Sequence, residues 1–452
     1  MRYLPLCERE RAEMCARIGV ASVEELFHDI PASVRLDAKT QLLPDHLGEI
    51  EVEAVMRELA AGNRAAGDGP FFVGAGAYRH HVPASVDHLV QRSEFMTSYT
   101  PYQAEIAQGN LQAMFEFQSF VSLLTGMEVA NSSMYDGSTA CSEAVAMAHR
   151  ITGRKKALLA GGLHPHYREV VETMSRFAGD EVENLEIGSK DVGIDRIDGE
   201  TSCIVVQTPD FFGNLHDLTA LGEAAHKHGA LLIAVTTEVV SLGLLRSPGS
   251  MGADITAAEG QSLGNSLNFG GPYVGLFATR EKHLRKMPGR LVGETTDEDG
   301  RRGFVLTLSA REQHIRRQNA TSNICTNSNL CAMAFAIHLA LLGEKGLQRL
   351  ARINHARAVR LADMLDSIAG VKLVNENFFN EFTIEIEGRN GSDVIESLAG
   401  ENILGGVPAA RFYPENESMR SLVVVAATEL CRDEDMQRYH DSLRNLLKGE
   451  KS

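Results

Sequence analysis

Positive charge is in short supply in this chain: 44 Lys and Arg stand against 60 Asp and Glu, for a formal net charge of −16. That deficit excludes a general attraction for nucleic acid or anionic lipid, since any such contact would need a local basic patch. Cysteine is also scarce. The seven cysteines (Cys7, Cys15, Cys141, Cys203, Cys325, Cys331, Cys431) are odd in number and form no CxxC pair. They exclude a disulfide framework and read as reduced, mostly buried thiols of a cytoplasmic protein. Cys325 and Cys331 are close in sequence, but no His or Cys joins them at ligand spacing, so no metal site is expected. The opening "MRYLPLCERERAEM" is charged within its first turns and lacks the apolar region of a signal peptide. No apolar run looks long enough to span a bilayer, and neither an internal repeat nor a low-complexity linker is present.

What is present is enough for a large core: 44% of 452 residues are hydrophobic, a length that suggests roughly two to four folding units. Ser22 followed by Glu25 forms a capping-box pattern for a helix that Pro31 ends. "FFVGAGAYRHHVP" (71–83) is a Gly-punctuated loop. From Gln108, Leu111, Met114, Phe117, Val121 and Leu124 recur at spacings of three and four, and Thr125-Gly126 supplies the stop. Strand-like and helix-like runs then alternate: "MEVA", a helix from about Ser138, "KKALLA", a helix over 168–177, "TSCIVVQ", "TALGEAAHKHG", "ALLIAVTT". Apolar strands alternating with helices predict a mostly parallel sheet covered on both faces. After the apolar helix "NLCAMAFAIHLALLG", the runs "GVKLV", "EFTIEIEG", "SDVIESLAGENI" and "SLVVVAAT" suggest a smaller α+β domain. An amphipathic C-terminal helix with acidic first-turn residues closes the chain.

Five segments carry candidate chemistry, and each has a plainer reading. Gly137, Ser138 and Thr139 in "SMYDGSTACSEAV" sit where a strand gives way to a helix, a place that cradles phosphate or is simply N-capped. His164, His166 and Tyr167 in "HPHYR" follow a strand. Such a histidine can stack on a cofactor ring or act as a base, or it is only a loop residue, and the HxH spacing lacks a third metal ligand. "TSYTPYQAEIAQG" (97–109) groups Tyr99, Tyr102, Gln103 and Glu105 around Pro101, as a pocket lining or as a plain helix entry. "SAREQHIRRQNATSNICTN" (309–327) brings Arg311, Arg316 and Arg317 to a polar turn, suited to carboxylate or phosphate or merely solvated. "TREKHLRKMPGR" (279–290) is a second basic cluster that could steer an acidic partner or only keep the chain soluble.

Taken in order, "IGVASVEELFHDIP", "FVGAGAYRHHVPASV", "YTPYQAEIAQGNLQAMFEFQ", "ANSSMYDGSTACSEA", "EGQSLGNSLNFGGPYVGLFA" and "QHIRRQNATSNICTN" resemble the glycine-cleavage P-protein family, the decarboxylating glycine dehydrogenases. Within it they look like the first chain of members split into two subunits. The resemblance spans nearly the whole chain. It implies an α/β, fold-type I pyridoxal phosphate (PLP) transferase-like architecture: an N-terminal helical segment (1–66), a large domain with a doubly wound, mostly parallel sheet (67–335) and a small C-terminal α+β domain (336–452). It also implies an α2β2 assembly with a second subunit, lipoylated H-protein as direct partner, and T-protein and L-protein as indirect ones.

The family's chemistry needs a Schiff-base lysine and a carboxylate facing the pyridine nitrogen. The lysine turn here reads Gln261, and no lysine occurs between Lys227 and Lys282. The strand expected to end in aspartate reads Val235-Thr236-Thr237, and Glu238 beside it reads as a helix-start or interface residue. Two losses imply a vestigial PLP site, with Gly137, Ser138 and Thr139 as remnant of the phosphate cup and the working PLP on the partner subunit. Because fold-type I sites form at dimer interfaces, Tyr99, Tyr102, Gln103, Asn323 and Thr326 are candidates to complete the partner's site. The competing reading is a non-catalytic scaffold that stabilises the second subunit or docks H-protein. H-protein tends to be acidic in this family, which makes Lys282, Arg285, Lys286 and Arg290 a candidate docking patch.

Overall fold

The computed structural model describes residues 6–35, 44, 46–96, 99–325 and 327–449. The chain divides into two compact units, Met1–Ala65 and Ala66–Ser452. The first holds helices Glu8–Ile18 and Glu49–Ala61. The helix expected after Ser22 is only a 3₁₀ turn, Glu24–Phe27. The Glu25 carboxylate accepts the Ala21 N–H at 2.9 Å instead of closing a capping box on Ser22.

The second unit is built on a seven-stranded sheet: β1 Val129–Ala130, β2 Lys156–Leu159, β3 Glu181–Asn184, β4 Thr201–Gln207, β5 Leu231–Thr236, β6 Ile255–Glu259 and β7 Gly275–Thr279, in the order β1-β7-β6-β5-β4-β2-β3. Pairings from β3 through β6 are parallel, and β7 runs antiparallel to both neighbours. The two-residue period of a strand sorts its side chains to the two faces. On β5, Leu231, Ile233 and Val235 join the cluster under helices Gly137–Thr152 and Pro165–Ala178, while Leu232 and Ala234 face the other cluster, with Phe117, Leu221 and Phe335. Leu111, Met114, Phe117 and Val121 are buried along helix Gln108–Thr125, which Gly126 ends with left-handed backbone. The sequence pattern did not show the antiparallel hairpin Leu291–Thr296 with Arg302–Thr307.

A four-stranded sheet (371–373, 381–386, 422–426 and 407–408) forms the smaller layer with helices Gly391–Gly400 and Asp433–Gly449. Helix Asn329–Asp366 joins the two layers. Contrary to the reading that no run is long enough, it meets the length and mean hydropathy of a membrane span. It breaks at Gly343, with φ 61° and ψ −179°. Phe335 and Leu339 before the break pack on the large sheet, and Ala358, Leu361 and Leu365 after it pack on the small one. Its apolar residues therefore have a protein core to bury in on either side of the kink.

Phe335 is fully buried and meets Phe117 edge-on at 5.4 Å between ring centroids. Phe335→Ala should cost about 3–5 kcal/mol by equilibrium denaturation. A loss under about 1 kcal/mol would mean that this layer repacks freely.

Candidate functional site

The turn after β6 carries Gln261, which is buried. Its Oε1 accepts the Tyr78 N–H at 3.0 Å, and its Nε2 donates to the Tyr78 carbonyl at 3.1 Å and to the Asn265 carbonyl at 2.7 Å. An amide can serve both the N–H and the C=O of one residue. An ammonium donates only, so lysine here would leave the Tyr78 N–H without a partner.

Two residues earlier, Glu259 ends β6 with a buried carboxylate. It accepts the N–H groups of Gly137 at 2.9 Å, Gln261 at 3.0 Å and Val274 at 3.0 Å. Burial pushes its pKa up to about 8, against the pull of these donors. Asp136 caps the helix that begins at Gly137 and accepts from the Thr139 N–H at 2.9 Å and the Ser138 hydroxyl at 2.6 Å. The three expected phosphate contacts therefore already have internal acceptors, the side-chain carboxyls of Glu259 and Asp136. At the end of β5, Thr236 donates to the Thr208 carbonyl, and Thr237 accepts from Gln207. Glu238 starts a 3₁₀ turn by accepting the Val240 N–H at 3.0 Å. These residues do not fit PLP: the imine position is an amide, a carboxylate holds the phosphate seat, and hydroxyls stand where the pyridine carboxylate would be.

A cavity of about 600 Å³ remains, lined by Tyr135, Asp136, His164, His166, Tyr167 and Glu259 among others. Burial holds His164 down at about 4, so the ring is neutral near pH 7. Its Nε2–H donates to the Ala75 carbonyl at 2.9 Å, and its Nδ1 accepts the His166 N–H at 3.2 Å. A Cβ on Gly76 would lie 2.9 Å from that imidazole, and Gly76 has φ +92°, so glycine is required there.

The same loop carries a charge cluster that sequence reading missed. His80 is buried and lies 2.9 Å from both Glu238 Oε2 and Glu429 Oε2. Burial alone would lower its pKa, but the two carboxylates outweigh that and raise it to about 10. Glu429 is held near 2 despite burial, through its bonds to His80 and the His81 N–H. Glu381 accepts from the Ala75 N–H and the Tyr78 hydroxyl, and burial raises it to about 8. Glu259 and Glu381 stand at strand ends ("ITAAEG", "EFTIEI"), and no local signal marks them as buried.

The loop candidates fall in two places. Tyr99, Tyr102 and Gln103 are exposed. Tyr102 lies over the Arg290 guanidinium, 5.7 Å from ring centroid, and shares a cavity of about 370 Å³ with Arg290, Glu312 and Cys325. Arg290 donates to the Cys325 carbonyl at 2.8 Å and the Thr100 hydroxyl at 3.3 Å, tying segment 99–103 to segment 309–325. Being buried, Arg290 cannot belong to a docking patch, whereas Lys282, Arg285 and Lys286 are exposed. Asn323 lines a different cavity, with His149 and Arg150. Thr326 lies outside the described residues. No group of His, Cys, Asp and Glu that could hold a metal occurs among the described residues, and all seven cysteines are free.

Fold and site together define an α/β protein of the PLP-transferase architecture in which Gln261 clasps the backbone of Tyr78 and Glu259 holds the start of the Gly137 helix. A solved sphingosine-1-phosphate lyase of Burkholderia pseudomallei shares this fold alone, at 12% identity and a TM-score of 0.66 over 92% of this chain and 94% of that one. The family model for the glycine cleavage system P-protein matches residues 1–442. Relatives named probable glycine dehydrogenase (decarboxylating) subunit 1, from Beijerinckia indica and Xanthobacter autotrophicus, are each 62% identical over 99% of this chain and 100% of their own length. A structure described as glycine decarboxylase (P-protein) of the glycine cleavage system, in inhibitor-bound form, is 42% identical, with a TM-score of 0.88 over 99% of this chain and 100% of that one. The chain belongs to the glycine cleavage system P-protein family.

The buried charges set an alkaline limit on stability. His80, raised from 6.5 to about 10, contributes fully below pH 6.5 and loses that contribution as the pH climbs through 10. Glu259 and Glu381, raised from 4.5 to about 8, act in the same direction, their contribution being lost as the pH rises through 8. Stability should therefore fall between pH 4.5 and 10, the glutamates acting up to pH 8 and His80 from pH 6.5 to 10, and His80→Gln should flatten the part of the curve above pH 8. Unfolding midpoints across that range test this, and a flat wild-type curve would contradict it.

Proposed function

We propose that this chain is the subunit without a Schiff-base lysine of a decarboxylating glycine dehydrogenase of the glycine cleavage system. It acts with a second subunit that carries the Schiff-base lysine and PLP, in an α2β2 assembly. In the assembled enzyme, glycine loses its carboxylate as CO2 and its aminomethyl group passes to the lipoyl disulfide of H-protein. PLP supplies the electron sink from the partner's side. T-protein and L-protein work on H-protein and are indirect partners. The observations that support this reading are that Gln261 clasps Tyr78 and Glu259 holds the helix N-terminus, where a working site would call for a lysine and a phosphate, inside a chain matched by the family over residues 1–442.

The chain's own contribution is a rim for the partner's site. Tyr99, Tyr102 and Gln103 are solvent-facing, and Tyr102 rests on Arg290, which also holds the loop before Thr326. Aromatic hydroxyls and amides held this way can orient substrate without taking part in covalent chemistry, and such positioning is worth about a hundredfold in rate. Within this arrangement 67–335 serves as the large domain and 336–452 as the small one. In the reconstituted complex, the combined change of Tyr99→Phe, Tyr102→Phe and Gln103→Ala should lower glycine–bicarbonate exchange about a hundredfold with assembly intact. Unchanged exchange would favour the scaffold reading.

Lys282, Arg285 and Lys286 supply the basic face for acidic H-protein. Reversing their charges should raise the KM for H-protein, with an effect that shrinks as salt is added. An unchanged KM would return them to ordinary surface.

A further inference from the structure

A second cavity, of about 240 Å³, lies between helices Gly137–Thr152 and Pro165–Ala178 and the loop 317–323. It shares no lining residue with the cavity of His164 and Tyr167. Its walls carry buried polar atoms without a hydrogen-bond partner: Glu143 Oε2, both ring nitrogens of His149, and Arg150 Nε. His149 is 9% exposed, and its nearest carboxylate oxygen, Asp180 Oδ2, is 4.0 Å from Nε2, beyond hydrogen-bond reach. Buried polar atoms in folded proteins are almost always paired. Here the four share one cavity, so the space between them is where their partner belongs.

The lining is balanced in charge. Two guanidiniums, Arg150 and Arg317, face two carboxylates, Glu143 and Asp180. Lys155 approaches only the other oxygen of Asp180, Oδ1, at 3.7 Å. The Arg317 side chain is exposed and has no partner among the described residues. Burial lowers the His149 pKa below its ordinary value, so its ring offers one donor and one acceptor near pH 7. A simple anion would meet two carboxylates here, and a simple cation would meet two guanidiniums. A small molecule with both charges satisfies the whole wall: its carboxylate takes the planar fork of arginine, and its ammonium donates to Glu143 Oε2 and Asp180 Oδ2.

We propose that this cavity is a binding site for a small zwitterionic amino acid, glycine being the smallest, distinct from the seat that resembles a cofactor site. The proposal does not depend on the rim reading above, because it concerns this chain alone and needs no PLP. The test titrates the full chain, without its partner, with glycine, alanine, acetate and methylammonium by calorimetry. Glycine should bind saturably at one site per chain. Acetate and methylammonium, each carrying half of the charge pair, should bind at least tenfold more weakly, and alanine reports how much side chain the cavity admits. Arg317→Gln, at an exposed position that leaves the fold intact, should weaken glycine at least tenfold with an unchanged Tm. His149→Phe, which fills the cavity, should do the same. Absence of saturable glycine binding, equal affinity in wild type and Arg317→Gln, or a crystal grown with glycine that shows only water between Glu143 and His149 would each overturn the assignment.

Discussion

The segment 71–83 is half-buried, with Phe72, Gly74, Tyr78 and His80 buried, and the pairing of its backbone is the constraint around which the site is arranged. Peptide groups withdrawn from water must be paired inside. Phe72 donates to the Leu404 carbonyl and accepts from the Ala426 N–H, which anchors one end to the small sheet. Tyr78 is held on both sides of its peptide by Gln261, from the turn after β6. Ala75 is gripped by Glu381 through its N–H and by His164 through its carbonyl. The side chains that might otherwise have formed a reaction centre are spent on holding this one strip of backbone in place.

The interior is correspondingly rich in carboxylates, and each is answered differently. Glu259 is met by three backbone N–H groups, which pull its pKa down, yet burial still leaves it at about 8. Glu238 and Glu429 share the His80 imidazolium, while Asn380 and Asn354 donate to the same Oε2 atoms that His80 meets. Removing one member would strand the others in a medium of low polarizability, where an unpaired charge is far more costly than in water. The cluster also joins elements distant in sequence, since His80, Glu238 and Glu429 arrive from three separate parts of the chain.

Much of the large layer was legible in the sequence. Leu111, Met114, Phe117 and Val121 mark a helical face, and apolar runs such as "LLIAVT" mark strands buried on both sides, because periodicity and burial leave a direct trace in residue type. The missing lysine at position 261 was equally plain. What the sequence did not show is what fills the space. Glu259 and the Gly137 N–H are 122 positions apart, and Gln261 and Tyr78 are 183 apart. Nothing local distinguishes a glutamate that caps a distant helix from one that faces solvent. Arg290 misled for the same reason: it stands in a basic run, yet it alone of the four patch residues turns inward to hold Tyr102 and Cys325. The hairpin Leu291–Thr296 with Arg302–Thr307 went unseen because its strands are short, mixed in polarity and largely exposed.

The Glu259 carboxylate on the Gly137 helix also governs what the lineage can undo. A lysine returning at position 261 would lose the acceptor that Tyr78 requires, and a phosphate arriving at Gly137 would meet a carboxylate already seated there. Neither change helps without the other, and each alone weakens the fold. On the proposed reading, a lysine and a phosphate would have to be accommodated together, because the two side chains that stand in their way are tied to different parts of the fold.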